Sequence, residues 1–423
     1  MNTIPTLAVI GLLMMAGATA GGSVVDTSDP TAIASGFQPD GTAGAVDTTA
    51  VAPVTASAQE NATNALRIPR EELNVTRIEQ VTISVGDTVA MDTKRIHTGL
   101  AATTFEAQFA DAETAAARRA VVRNATRRLD NRTTALQREA RAAHTRFNNG
   151  GSAYVYLATL ARLSAEADAL EQDLTVVQRR GEQVESYEEE GELTAIRTEL
   201  RRFQGPVPTA VAEAFRGEAA SMRVYVATSA DAVVLATIVD GEYQREVYVT
   251  SERQRIGPRT VNSISEASTQ VNQTYSWAWR NQLSLTVTAV GPAGAFAFGL
   301  QSPQGQLDAY VDARSGKVYR EIQVIPLATR YLTAETSTDG DLQLTVHRSY
   351  GGGPLRVRLL DRTTETRVNR TVFINGERVG VTGTDGTLWT LAPHQVESVR
   401  IGPARGDEST PIAADTAAAV GVR

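Results

Sequence analysis

Hydrophobic positions along this chain hold one spacing for a stretch and then switch to another, and the switches mark its parts. Residues 64–103 predict a short β segment, because in VTISVGDTVAM the residues Val81, Ile83 and Val85 alternate with polar neighbours. From Thr104 to Phe147 the step lengthens. Phe105, Phe109, Ala112, Ala116, Val122, Ala125, Leu129, Leu136, Ala140, Ala143 and Phe147 recur mostly at three, four or seven residues, one stripe along a long helix. NNGG at 148–151 stops it, and Ser152 suits the cap of a second helix. There Tyr156, Leu160, Leu163, Ala167, Leu170, Leu174 and Val177 step by four and three, as in a coiled-coil seam. Leu193, Ile196, Leu200 and Phe203 make a third amphipathic piece, ended by Pro206 and Pro208, with a short helix over 209–216. The spacing predicts an antiparallel helical hairpin plus third helix over 104–218.

After Ser221 the period falls to two. MRVYVAT, AVVLATIV and EYQREVYVT read as strands, a helix follows over about 259–281, and SLTVTAV, GAFAFGL, QLDAYVD and KVYREIQVI resume the strands. Strands, helix, strands over 219–328 predict an antiparallel sheet covered by a helix. Residues 329–404 are all strand and turn, and Asn375-Gly376 between VFI and ERVGV is the strongest hairpin signal in the chain. That pattern predicts a small β-sandwich. The expected fold class is multidomain α + β: helical hairpin, antiparallel α+β domain, C-terminal sandwich.

Charge agrees with the hairpin. Residues 104–147 hold nine arginines and five acids, whereas 152–204 hold six arginines and eleven acids. Exposed pairs contribute little individually, so the apolar seam carries the association. Overall the net charge is −7, which argues against a general nucleic-acid binder. Lys94 and Lys317 are the only lysines among 41 basic residues. Cysteine is absent, which excludes disulfides and thiolate sites. At the start, an apolar run from Ile4 to Met15 precedes Ala18-Thr19-Ala20, so residues 1–20 read as a signal peptide, with an uncleaved anchor as the alternative. Residues 21–63, rich in Ala, Thr, Ser and Gly, and the tail 405–423 are expected to be disordered. Six N-x-T sequons, at Asn61, Asn74, Asn124, Asn131, Asn272 and Asn369, fit an exported protein and are N-glycosylation candidates.

Three resemblances follow from these segments. The hairpin AYVDARSGKVYRE, with Asp312, Gly316, Lys317 and Val318, resembles the end of PepSY-like domains, secreted modules associated with peptidase inhibition. INGERVGVTGTDGTLWTLAP, with Gly376, Val379, Gly380, Asp385 and Gly386, is similar to carboxypeptidase-regulatory or transthyretin-like sandwiches. The whole layout, with its few lysines and many acids, resembles uncharacterised haloarchaeal secreted proteins built of domains of unknown function, which implies a location without an activity.

Candidate chemistry is sparse. His97, His144, His347 and His394 fall in four segments without ligand spacing. No nucleophile elbow, P-loop or dinucleotide fingerprint occurs, and the YGGGP run at 350–354 precedes a strand, not a phosphate-binding helix. Asp339 and Asp341 read as turn carboxylates before calcium ligands, and ESYEEEGE at 185–192 as a solvated helix start. In the hairpin Asp312 is expected to bond turn amides, with Lys317 solvated. Trp277 and Trp279 are the candidate partner contacts, though both suit a core. No catalytic, cofactor or metal site is expected. The expected function is a non-enzymatic secreted or cell-surface structural or binding module. Its partner would be a protein or glycan, with self-association through the hairpin possible in principle. The alternatives are a peptidase-modulating protein and a carboxylate-dependent hydrolase.

Overall fold

The computed structural model describes residues 65–254, 256–290, 294–329, 333–402 and 412–414. The expected signal, the tether with Asn61, and most of the tail lie outside them.

Strand β1 (Val75–Val81) ends on the buried Val81. Ser84 then caps helix α1 (Val85–Asp111): its Oγ accepts the Asp87 N–H at 3.4 Å and donates to the Asp87 carboxylate at 2.6 Å. Residues 85–103 are therefore helix where a β segment was expected. Met91, Thr98, Phe105 and Phe109 recur at seven and four residues and bury one helical face, which outweighs three residues of alternation. The helix expected from Thr104 is in fact two helices. Thr114 starts α2 (Ala115–Asn148), its Oγ1 accepting the Ala117 N–H at 3.1 Å. Ser152 caps α3 (Ala153–Gly181) as expected, and α4 (Glu190–Leu200) follows. Helix α5 is Pro206–Arg216, longer than expected at its start, because proline suits a first position whose N–H has no helical acceptor.

Phe105, Leu129, Leu136, Leu163, Leu170, Leu174 and Leu200 join α1 to α4 in one core. Arginines of α2 meet carboxylates of α3 in the pair Arg132–Glu166, and Arg162 of α3 meets Glu139 of α2. Arg180 of α3 reaches Glu106 of α1 at 2.6 Å, so the helical region is a bundle in which α1 also lies along α3.

The sheet has eight antiparallel strands, β1 together with β2 (Met222–Thr228), β3 (Ala232–Val239), β4 (Glu242–Val249), β5 (Ser284–Val290), β6 (Ala295–Ser302), β7 (Gly305–Asp312) and β8 (Val318–Pro326), in the order β1-β2-β3-β4-β8-β7-β6-β5. The strand at 75–81 thus belongs to the same sheet as 219–328, not to a segment of its own. One face of β1–β3 packs under α3 and α5 through Val224, Val226, Leu235, Val211 and Phe215. On the other face, α6 (Ile264–Thr274) and α7 (Ser276–Arg280), two helices where one was expected, cover β6 and β7. Leu66, Ile68 and Leu73 of the N-terminal segment cover Tyr243 and Val247 beside them.

The last region is a β-sandwich. One sheet holds β9 (Thr333–Asp339), β10 (Leu342–Arg348), β11 (Pro354–Asp361) and β14 (Thr387–Leu391); the other holds β12 (Thr371–Ile374), β13 (Glu377–Val381), β15 (Val399–Ile401) and β16 (Ile412–Ala414). Asn375 and Gly376 take φ of 50° and 82°, the double positive φ that a type I′ hairpin turn requires. Leu391 and Trp389 seat the sandwich against Tyr225 and Ala236 of the large sheet.

Candidate functional site

An opening lies where the sandwich meets the edge of the eight-stranded sheet. It is a groove of about 420 Å³. One bank is Thr76, Arg77 and Ile78 of the edge strand β1, the floor is Tyr225 of β2, and the far bank is Asn375, Glu377 and Val379 of the β12–β13 hairpin with Pro393 and His394. Arg223 ties the banks: its Nη2 meets Glu377 Oε1 at 3.0 Å. Asn375 holds the far bank, donating to the Gln395 carbonyl at 2.8 Å and accepting the N–H groups of Glu397 and Ser398 at 2.8 and 3.1 Å. Burial pushes the Tyr225 hydroxyl up to about 12, with Arg245 opposing. The tyrosine is therefore a neutral donor across the physiological range.

The glycine run 351–353 makes this junction. Gly352 has φ of 77°, and a Cβ there would stand 2.5 Å from the Tyr225 ring. Only glycine lets that backbone lie on the tyrosine. Its N–H bonds the Ala392 carbonyl at 2.8 Å, and its carbonyl accepts from the Tyr243 hydroxyl at 3.1 Å.

Behind the groove wall, on the same face of the sheet, sits a buried ion pair. Arg245 of β4 and Glu321 of β8 are 6% and 0% exposed. Glu321 also accepts the Leu66 N–H, and Arg245 donates to the Leu66 carbonyl at 2.7 Å. The Tyr350 ring lies 5.9 Å from the guanidinium, and the Tyr275 hydroxyl faces the carboxylate. Burial raises the Glu321 carboxyl, and Arg245 pulls it back. The pair joins the N-terminal segment, the sheet, α7 and the sandwich loop, so its work is structural.

The remaining expected sites are dispersed. Asp312 is fully buried; its Oδ1 accepts the Arg314 and Ser315 amides at 2.8 and 2.9 Å, and Oδ2 takes Arg253 Nη1 at 2.5 Å. Gly316 holds φ of 71° in that turn, and the exposed Lys317 pairs with Glu252 at 3.0 Å. The AYVDARSGKVYRE hairpin is a turn locked by its aspartate. His144 bonds the Ser229 carbonyl at 2.9 Å, His347 approaches Arg356 at 3.2 Å, His97 is exposed on α1, and His394 lines the groove. Asp341 accepts from Thr363 at 2.8 Å, and Asp339 is exposed. Among the described residues no group of three or more acids or histidines is placed to hold a metal ion. Trp277 and Trp279 are both half-buried against the α7 side of the sheet, Trp279 with its ring 6.5 Å from Phe298.

Of the described sequon asparagines, Asn74 and Asn369 are exposed outside helices and strands. Asn124, Asn131 and Asn272 are exposed on helices, and the hydroxyls of Thr126 and Thr133 are buried on the Val122 and Leu129 carbonyls.

Residues 7–220, just over half of the chain, match a domain of unknown function (DUF7096). The chain belongs to the DUF7096 family. In this DUF7096 protein residues 224–330 match a family of unknown function (DUF7094), and 333–410 an archaeal fibronectin-III type-like domain. The boundary between the first two falls inside one sheet, since β1 belongs to the DUF7096 match and pairs along its whole length with β2 in the next. The sandwich seen over 333–402 is the fibronectin-type match. No curated protein and no solved structure matches the chain.

None of Arg77, Ile78, Arg223, Tyr225 or Glu377 stood out in the sequence. They come together only because an edge strand that precedes the five helices of 85–216 pairs with β2.

Proposed function

We propose that this DUF7096 protein is a non-enzymatic secreted or cell-surface interaction protein. Its groove receives an extended segment of a partner polypeptide. The observation that carries this reading is the outer edge of β1, unpaired among the described residues, beside an opening with an apolar floor and charged rims. An edge strand offers main-chain N–H and C=O groups at a fixed repeat, and an incoming strand takes them up. Ile78, Val379 and Tyr225 supply apolar contact, and Arg77 favours an acidic segment.

The A-x-A pattern and the exposed sequons outside helices and strands support export. Few lysines against many acids supports a salt-adapted archaeal source, in keeping with the archaeal type of the C-terminal match. A peptidase-modulating role would have to use the 308–324 hairpin, whose turn is already committed to Arg253, so the groove is favoured over it.

The test uses the absence of cysteine. Thr76→Cys carries a photo-crosslinker into the groove and Leu283→Cys carries one to the far edge. Both full-length proteins are exposed to synthetic extended peptides of acidic and basic composition. Adducts with acidic peptides from position 76 alone, lost when Val379→Trp fills the groove, are expected. Equal labelling from both positions, or labelling unaffected by Val379→Trp, would overturn the reading.

A further inference from the structure

Helix α1 is apolar on two sides. Met91, Phe105 and Phe109 are buried in the bundle, while Val85, Val89, Ile96 and Leu100 are 74%, 58%, 63% and 58% exposed. At about 100° per residue the exposed four fall within roughly 60° of one another, on the side opposite the buried set. Ile83, also exposed, extends the strip. Single exposed apolar residues are ordinary, but a contiguous strip marks an interaction surface.

The strip is symmetric along the helix. Val85 and Leu100 lie equally far from the midpoint between Asp92 and Thr93, and so do Val89 and Ile96. Gly86 and Gly99 are placed the same way, and nothing stands within 4 Å of a Cβ built at either. Glycine weakens a helix interior, and no packing among the described residues accounts for these two. A second copy laid antiparallel about a two-fold axis through the midpoint sets Val85 against Leu100 and Val89 against Ile96, twice over. That self-matching is what an isologous interface requires. Asp92 and Arg95 lie on one flank of the strip, 49% and 59% exposed and 3.7 Å apart, and Arg95 also acts on the Asp168 carboxylate. In the pair the two Asp92 meet beside the axis, and the two Arg95 flank them.

We propose that α1 is a dimerisation helix, through which two copies of this chain pair antiparallel along Val85, Val89, Ile96 and Leu100. Two such strips bury roughly 1,000 Å² in total, near the lower limit for a specific interface, so the dimer is reversible. A membrane surface is the poorer occupant, because helices that lie on membranes carry rows of Lys and Arg beside the apolar strip, whereas Asp92 stands here.

The chain has no cysteine, so introduced thiols report the geometry. Full-length Val89→Cys and Ile96→Cys proteins, each shown by circular dichroism to be folded, are mixed and oxidised. The antiparallel pair gives the mixed disulfide dimer in large excess over either homodimer. Sedimentation of the wild type shifts from monomer to dimer with concentration, and Val89→Asp with Ile96→Asp abolishes the shift while leaving the circular dichroism unchanged. Homodimers in equal yield would overturn the antiparallel pairing. A wild type that stays monomeric would overturn the dimer. Hydroxyl-radical protection of 83–100 in that monomer would assign the strip to the chain's own residues 1–64, and vesicle-dependent protection would assign it to a membrane.

Discussion

Replacing Glu321 by glutamine tests the most demanding part of the fold. The carboxylate is wholly buried, and the substitution keeps its shape while removing its charge. Arg245, 6% exposed, then keeps the Leu66 carbonyl at 2.7 Å, the Tyr350 ring at 5.9 Å and at best a neutral amide oxygen in place of the carboxylate. A buried guanidinium that loses its counter-ion costs about 3–5 kcal/mol, most of it the unrecovered desolvation of the charge. The paired change Arg245→Met with Glu321→Met removes both charges and fills similar volume, so it should recover most of that loss, ending within about 1–2 kcal/mol of the wild type. Urea unfolding followed by far-ultraviolet circular dichroism gives the stabilities. Tryptophan fluorescence adds a local readout, since Trp277 and Trp279 pack against the core that Leu66 also touches. Limited proteolysis should show new cuts near residues 65–74 in Glu321→Gln, because the carboxylate also takes the Leu66 N–H. A Glu321→Gln protein within about 1 kcal/mol of the wild type, or a double variant less stable than both single ones, would refute the reasoning.

Three further outcomes follow. Burial pushes the Glu246 carboxyl to about 7 from 4.5, with Arg320 opposing, so the stability held by its neutral form is present below pH 4.5 and lost as pH rises through about 7. Glu246→Gln should therefore unfold at higher temperature than the wild type at pH 8, by about 1–3 kcal/mol of stability, and show no advantage at pH 4.5; equal gains at both pH values would exclude this cause. Gly352→Ala forces a Cβ at positive φ into Tyr225 and should cost about 2–4 kcal/mol, with faster amide exchange in β14, measured by hydrogen exchange. Fragments 55–220 and 221–402 should each fail to give a cooperative transition alone and should co-elute as a folded complex when expressed together, because β1 and β2 lie on opposite sides of the cut; a cooperative transition in either fragment alone would show that the sheet does not need both.

Much of the layout was legible where burial and period coincide. Leu163, Ala167, Leu170, Leu174 and Val177 of α3 are buried as their spacing requires, and Asn375-Gly376 turns where its φ preference places it. Reading failed where two patterns overlap. In α1 a short alternation, Val81 to Val85, straddles a strand end and a helix start, and the Ser84 cap between them is the signal that separates the two. It also failed where distant strands meet. No local pattern tells that β1 pairs with β2 across the helical bundle, and the groove depends on that pairing. The buried ion pair left a trace in EYQREVYVT, where Arg245 shares the inward phase of Tyr243 and Val247. An arginine in phase with core residues needs a buried acid, but only the sheet order identifies Glu321, 76 residues further along the chain on β8, directly beside β4.

Lys317 at the hairpin tip has a practical corollary. Apart from the amino terminus the chain carries one other primary amine, on Lys94, which is half-buried along α1. Amine coupling to a sensor surface can therefore hold the chain at the amino terminus, Lys94 or Lys317, and attachment through Lys317 leaves the β1 edge, four strands away across the sheet, open where binding would be read.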